Sequence, residues 1–195
     1  NILIPKGKGN GAKKGEMVVA TIIEQPTMKS QPIGKVAEVL GAHMAPGMEV
    51  DVAIRTYDLP SVWPDAVAEQ IKPFKKVVAE DAKQGRVDLR DVPLVTIDGA
   101  DARDFDDAVF CSKTPNGWKL LVAIADVSHY VQPGSALDIE AKNRSTSVYF
   151  PEQVIPMLPE ILSNGLCSIN PDEERLCMVC EMLINEQGQE IGRAS

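Results

Sequence analysis

Between Asp98 and Asp107 the chain places five aspartates in ten positions, Asp98, Asp101, Asp104, Asp106 and Asp107, with only Arg103 opposing them. Carboxylates crowded this closely repel one another, and partial desolvation raises the cost. Two outcomes relieve it: protonation of some of them, or a cation held between them. A donor set made only of oxygen favours a hard ion, Mg²⁺ or Mn²⁺. Such an ion, bound by a few carboxylates and by substrate phosphate oxygens, is the usual arrangement for phosphoryl chemistry. The competing reading is a solvated acidic turn. A calcium loop beginning at Asp104 does not fit, because Val109 stands where glycine is required and Ala108 where a ligand is required.

The elements around the cluster must hold it in place. Residues 94–97 and 108–111 read as strands on either side, so that Asp98 ends one and Asp107 opens the next. Residues 118–125 form a near-continuous apolar run, expected as a buried central strand. Residues 136–144 read as a helix, 157–162 as a short helical turn, and 176–185 as a further strand followed by a turn at 186–188. Before residue 86 the pattern differs. Four β-rich runs, at 2–4, 17–23, 33–40 and 48–54, alternate with Gly and Pro and predict a small barrel or sandwich. Pro60 and Pro64 then mark a break, with helices expected at 65–70 and 74–84.

The bulk composition excludes little. The 195 residues are 44% hydrophobic and 25% charged, ordinary for a globular protein. No apolar run approaches the roughly 18 residues that span a bilayer, so no membrane partner is expected. The net charge of −8 is unusual for a nucleic-acid binder, but its distribution is uneven. Residues 1–14 carry Lys6, Lys8, Lys13 and Lys14 and no acid. A basic loop and an acidic pocket on one chain suit a phosphodiester held by cations and cut at a metal. The start at Asn1, without Met or a signal-peptide layout, points to a piece of something longer.

Other candidate motifs carry less. The glycine- and lysine-rich run at 6–15 has no Gly-Lys-Ser/Thr end and precedes a strand, so it is no phosphate loop of the nucleotide-binding kind. It reads as a basic hairpin loop against a phosphodiester backbone, or as a plain solvated loop. Cys177 and Cys180 have zinc-knuckle spacing without a second ligand pair, and with Cys111 and Cys167 they read as reduced thiols of a cytoplasmic protein. Asp126 and His129 read as a turn anchor rather than a catalytic pair, and Trp63, Trp118 and Tyr130 as core aromatics.

Several long runs together carry a resemblance. Residues 88–109 (DLRDVPLVTIDGADARDFDDAV), 122–131 (VAIADVSHYV), 144–151 (RSTSVYFP), 155–160 (IPMLPE) and 162–171 (LSNGLCSINP) resemble, in order, the catalytic domain of the ribonuclease II/ribonuclease R family. Residues 34–41 (GKVAEVLG) resemble its second cold-shock domain. The resemblance implies an α+β chain: an OB-type five-stranded cold-shock β-barrel at 1–57, a helical connector at 58–85, and the N-terminal part of a mixed α/β RNB nuclease domain at 86–195. It implies a processive 3′-to-5′ exoribonuclease that hydrolyses single-stranded RNA to nucleoside 5′-monophosphates with Mg²⁺, or Mn²⁺. Asp98, Asp104, Asp106 and Asp107 fill the family's D-x₅-D-x-D-D pattern. By resemblance Asp98 and Asp107 bind the metal, Asp104 supports the site, Asp106 is essential to hydrolysis, and Tyr149 stacks on a base near the scissile end. The family's catalytic domain runs beyond residue 195, so the chain alone is expected to lack a later catalytic arginine, within a longer, monomeric, cytoplasmic parent. An RNA-binding module without catalysis and a metal-dependent phosphatase are the other readings.

Overall fold

A computed structural model of the chain describes residues 1–43, 45–99 and 102–194; Asp101 of the acidic run therefore lies outside the described residues. The chain forms two compact units, Asn1–Ser61 and Val62–Ser195.

In the first unit, β1 (Glu16–Glu24) pairs antiparallel with β2 (Ile33–Ala42), and Leu3 adds a parallel bridge to Ile33. The backbone packs so closely here that a Cβ on Gly34 would sit 2.7 Å from Ile2 Cγ2 and 3.1 Å from the Thr21 carbonyl oxygen. The run at 48–54, expected as a strand, is instead a helix, α1 (Met48–Thr56). Its alternation is outweighed by charge order. Glu49 and Asp51 lie in the first turn and Arg55 in the last, complementing the helix dipole. Arg55 bonds Asp51 one turn back at 3.0 Å and Glu38 of β2 at 2.6 Å, tying the helix to the ladder.

The second unit begins with α2 (Asp65–Ile71), as expected. The helix expected at 74–84 is absent apart from a 3₁₀ turn, Glu80–Lys83. The β-branched pair Val77-Val78 resists helix, and the irregular chain buries Val78 while Val77 stays exposed. The sheet follows, in the order β3 (Asp107–Thr114), β4 (Gly117–Ala125), β7 (Cys177–Ile184), β8 (Glu190–Ala194), antiparallel throughout. The turn from β3 to β4 requires Gly117, whose φ is +136° and whose Cβ would meet the Ile184 carbonyl oxygen at 2.0 Å. Between β4 and β7 lie α3 (Val127–Tyr130), α4 (Ala136–Arg144), the hairpin of β5 (Val148–Tyr149) with β6 (Val154–Ile155), and a π-helical segment, Ile161–Leu166. The last replaces the turn expected at 157–162. The strand expected at 94–97 is reduced to one bridge, Val95 to Val109.

The core of this unit gathers Val67 of α2, Val78, Ala125 of β4, Leu137 of α4, Leu158, Leu162, Leu166, Cys167 and Leu176. Burying a leucine in such a core is worth about 1.5–3 kcal/mol. Trp63 joins its edge, whereas Trp118, expected in the core, is 44% exposed on β4. Among the described residues no helix is long and apolar enough to cross a membrane.

Candidate metal and RNA site

Residues 102–106 of the acidic loop are irregular chain tied to their surroundings by backbone bonds. The Ala125 N–H at the end of β4 donates to the Asp106 carbonyl at 2.9 Å, and the Ile169 N–H donates to the Phe105 carbonyl at 2.8 Å. Asp107 opens β3, its partner across the ladder being Ile124. Asp98 lies three residues beyond the Val95 bridge and is exposed. The sheet therefore holds the chain at Val95 before the cluster and at Asp106 and Asp107 after it.

Asp98, Asp104 and Asp107 all act on the charge of Asp106. Partial desolvation, and after it the charges of Asp104, Asp107 and Asp98, push the Asp106 carboxyl above the usual carboxylate range. Asp106 is nevertheless an exposed residue, so its desolvation is partial. Among the described residues, no three His, Cys, Asp or Glu side chains are gathered around a point that a metal ion could take. The carboxylates thus lie near one another along the loop without converging on one point. Oxygen-only donors and excess negative charge fit a hard divalent ion in kind.

Tyr149 reaches this site. It stands on the β5–β6 hairpin, whose Ile155 is buried, and the residue is 63% exposed. Its hydroxyl donates a hydrogen bond to Asp104 Oδ2. That bond, then burial and the Asp104 charge, hold the phenol above its ordinary range. The structure thus brings together Tyr149 and the carboxylates, which lie far apart in sequence. Lys6, Lys8, Lys13 and Lys14 are all exposed and belong to the first unit.

Asp126 proves to be the expected turn anchor. It caps α3, accepting from the His129 backbone N–H at 3.2 Å and from the Ser128 hydroxyl at 2.7 Å, and pairs with Arg86 at 2.7 Å. The His129 ring packs edge-on against Tyr130, at 4.8 Å between centroids. One residue escaped sequence reasoning altogether: Ser168, fully buried, whose hydroxyl bonds the backbone of the acidic loop. It sits inside a recognised motif, but a lone serine in an apolar stretch gives no signal of what it touches.

Comparison with known proteins places this geometry. The RNB domain family matches residues 86–193, and the cold-shock domain family matches residues 1–64. The chain belongs to the RNB family. It is 58% identical over 193 residues to ribonuclease R of Escherichia coli (strain K12), covering 98% of the chain and 24% of that relative. To ribonuclease R of Vibrio parahaemolyticus it is 61% identical over 190 residues, 97% of the chain and 23% of the relative. The chain therefore spans about a quarter of the length of these relatives. Among solved structures, Mycoplasma genitalium RNase R in complex with double-stranded RNA matches with a TM-score of 0.90 at 32% identity, over 99% of this chain and 34% of that one. A yeast pseudonuclease shares the fold, with a TM-score of 0.67 at 21% identity over 92% of this chain and 23% of that one.

Proposed function

We propose that this RNB-family chain carries the metal-binding half of a 3′-to-5′ exoribonuclease site, acting on the 3′ end of single-stranded RNA with Mg²⁺ or Mn²⁺. The observation that carries this reading is the set Asp98, Asp104, Asp106 and Asp107 within the RNB-matched segment, where the charge of each of the other three is felt at Asp106. Asp98 and Asp107, from the two ends of the loop, would hold the ion. When bound, the metal would make a water more acidic and offset charge on the phosphate. Asp104 keeps its place through Tyr149 and supports the site. Asp106, partly desolvated among like charges, orients the attacking water by accepting its hydrogen bond. Water adds to the last phosphorus, the bond from phosphorus to the upstream 3′ oxygen breaks, and that oxygen takes a proton. The products are a nucleoside 5′-monophosphate and an RNA shortened by one nucleotide. The exposed Tyr149 ring offers a stacking surface for a base near that bond, an interaction worth roughly 1–3 kcal/mol and indifferent to sequence. The basic loop of Lys6, Lys8, Lys13 and Lys14 serves the RNA backbone. A structural neighbour was solved with ribose-methylated single-stranded RNA, which supports the choice of substrate.

A second reading is favoured by one observation, that a pseudonuclease keeps this fold. On that reading the chain binds RNA without cutting it. Incubation of 5′-labelled single-stranded RNA and Mg²⁺ with the longer parent protein, which supplies the rest of the catalytic domain, separates the two. Laddering from the 3′ end that disappears in Asp106→Asn is the expected result. RNA retained intact by both forms would establish the binding module instead, and phosphate released from a small monoester would make the site a phosphatase.

A further inference from the structure

Ser168 is wholly buried, yet its side chain serves the exposed acidic loop. It follows the π-helical segment, and its Oγ accepts a hydrogen bond from the Phe105 N–H at 2.9 Å. The same hydroxyl donates to the Arg103 carbonyl at 3.2 Å, in preference to Asn170 Oδ1 at 3.5 Å. Arg103 and Phe105 are the two neighbours of Asp104. One hydroxyl therefore holds the backbone on both sides of that carboxylate, where the chain has no ladder of its own. The next residue adds a third tie, from the Ile169 N–H to the Phe105 carbonyl at 2.8 Å. Ser168 is itself held from behind, since its carbonyl accepts from Arg175 Nε at 2.8 Å and the Arg175 side chain is 5% exposed. A buried hydroxyl whose donor and acceptor capacities are both used on one loop is costly to leave unmatched, so the bracket is rigid.

We propose that Ser168 is a positioning residue for the acidic site: its hydroxyl sets the backbone from Arg103 to Phe105 and with it the directions of Asp104, which supports the metal-holding pair Asp98 and Asp107, and of Asp106 just beyond. The proposal rests on the carboxylates taking a divalent cation. Residues that orient ligands from behind typically change metal affinity by roughly 10–100-fold when removed.

The test uses Mn²⁺ alone as the probe, with binding to the 195-residue chain followed by electron paramagnetic resonance and amide hydrogen exchange read at Phe105. Ser168→Ala should weaken Mn²⁺ binding by roughly 10-fold or more and speed exchange at Phe105, with the rest of the chain still protected. Ser168→Cys keeps the size of the side chain with a poorer hydrogen-bonding group, so it should lose less in the same direction, and it carries the test if the alanine variant does not fold. Faster Phe105 exchange with Mn²⁺ affinity unchanged in either variant would overturn the proposal alone. A loss of affinity no larger than the fraction of unfolded chain would overturn it too, as a merely structural effect. If the unsubstituted chain binds no Mn²⁺, the cation reading falls and takes this proposal with it.

Discussion

At the scale of single residues, the account turns on which side chains touch the acidic loop. Tyr149 has two separable parts, a ring that is free to stack and a hydroxyl bonded to Asp104. Tyr149→Ala should weaken binding of a short single-stranded RNA by roughly 1–3 kcal/mol, whereas Tyr149→Phe, which keeps the ring, should bind nearly as well. Equilibrium binding of both variants checks this, and equal losses would remove the stacking role. Asp126 gives a second prediction, through pH. Burial disfavours its charge, but the Ser128 hydroxyl, Arg86 and the His129 N–H together outweigh burial and leave the carboxyl below its ordinary value. A carboxylate lowered on folding contributes stability above its unfolded pKa and loses it as pH falls through the folded value. Asp126→Asn should therefore lower the urea midpoint at pH 7, with the gap to the parent chain closing below about pH 4. A gap that persists unchanged in acid would contradict this assignment.

At the scale of elements, what was legible in the sequence depended on how local the cause is. Helix α4 was legible because Ser135 caps it, accepting from the Asp138 N–H at 3.2 Å, and its acids and bases follow the helix dipole. Strands β3, β4 and β7 were legible from apolar runs bounded by turn residues. Helix α1 was not, since residues 48–54 alternate as a strand would and this alternation masks the charge order of Glu49, Asp51 and Arg55, while the tie to Glu38 lies on another element. The acidic aspartates could be picked out from spacing alone, but their supports could not, because Tyr149 and Ser168 lie 45 and 63 residues from the atoms they bond. Arg144 shows how the elements are then locked. Its side chain is 2% exposed, pairs with Glu140 at 2.8 Å, bonds the carbonyls of Val62 and Pro156, and lies 3.4 Å from the centre of the Trp63 ring. Arg144→Ala should cost roughly 3–5 kcal/mol, because it strands a buried carboxylate. Adding Glu140→Leu should restore part of that loss in urea unfolding. A double variant less stable than the single one would show that the pair is not the source of the cost.

At the scale of the whole molecule, the charge division foreseen in the sequence is kept. Four exposed lysines belong to a unit matched by the cold-shock family, and the carboxylates and Tyr149 to a unit matched by the RNB family. The net charge of −8 hides this division, which is why the sum misleads and the distribution does not. The central claim is that the carboxylates take up a divalent ion, and Mn²⁺ titration of the chain, read by the loss of the free-ion resonance signal, tests it most directly. Saturable uptake that is strongly weakened in both Asp98→Asn and Asp107→Asn is the predicted result. No saturable uptake, or uptake indifferent to both substitutions, would contradict it.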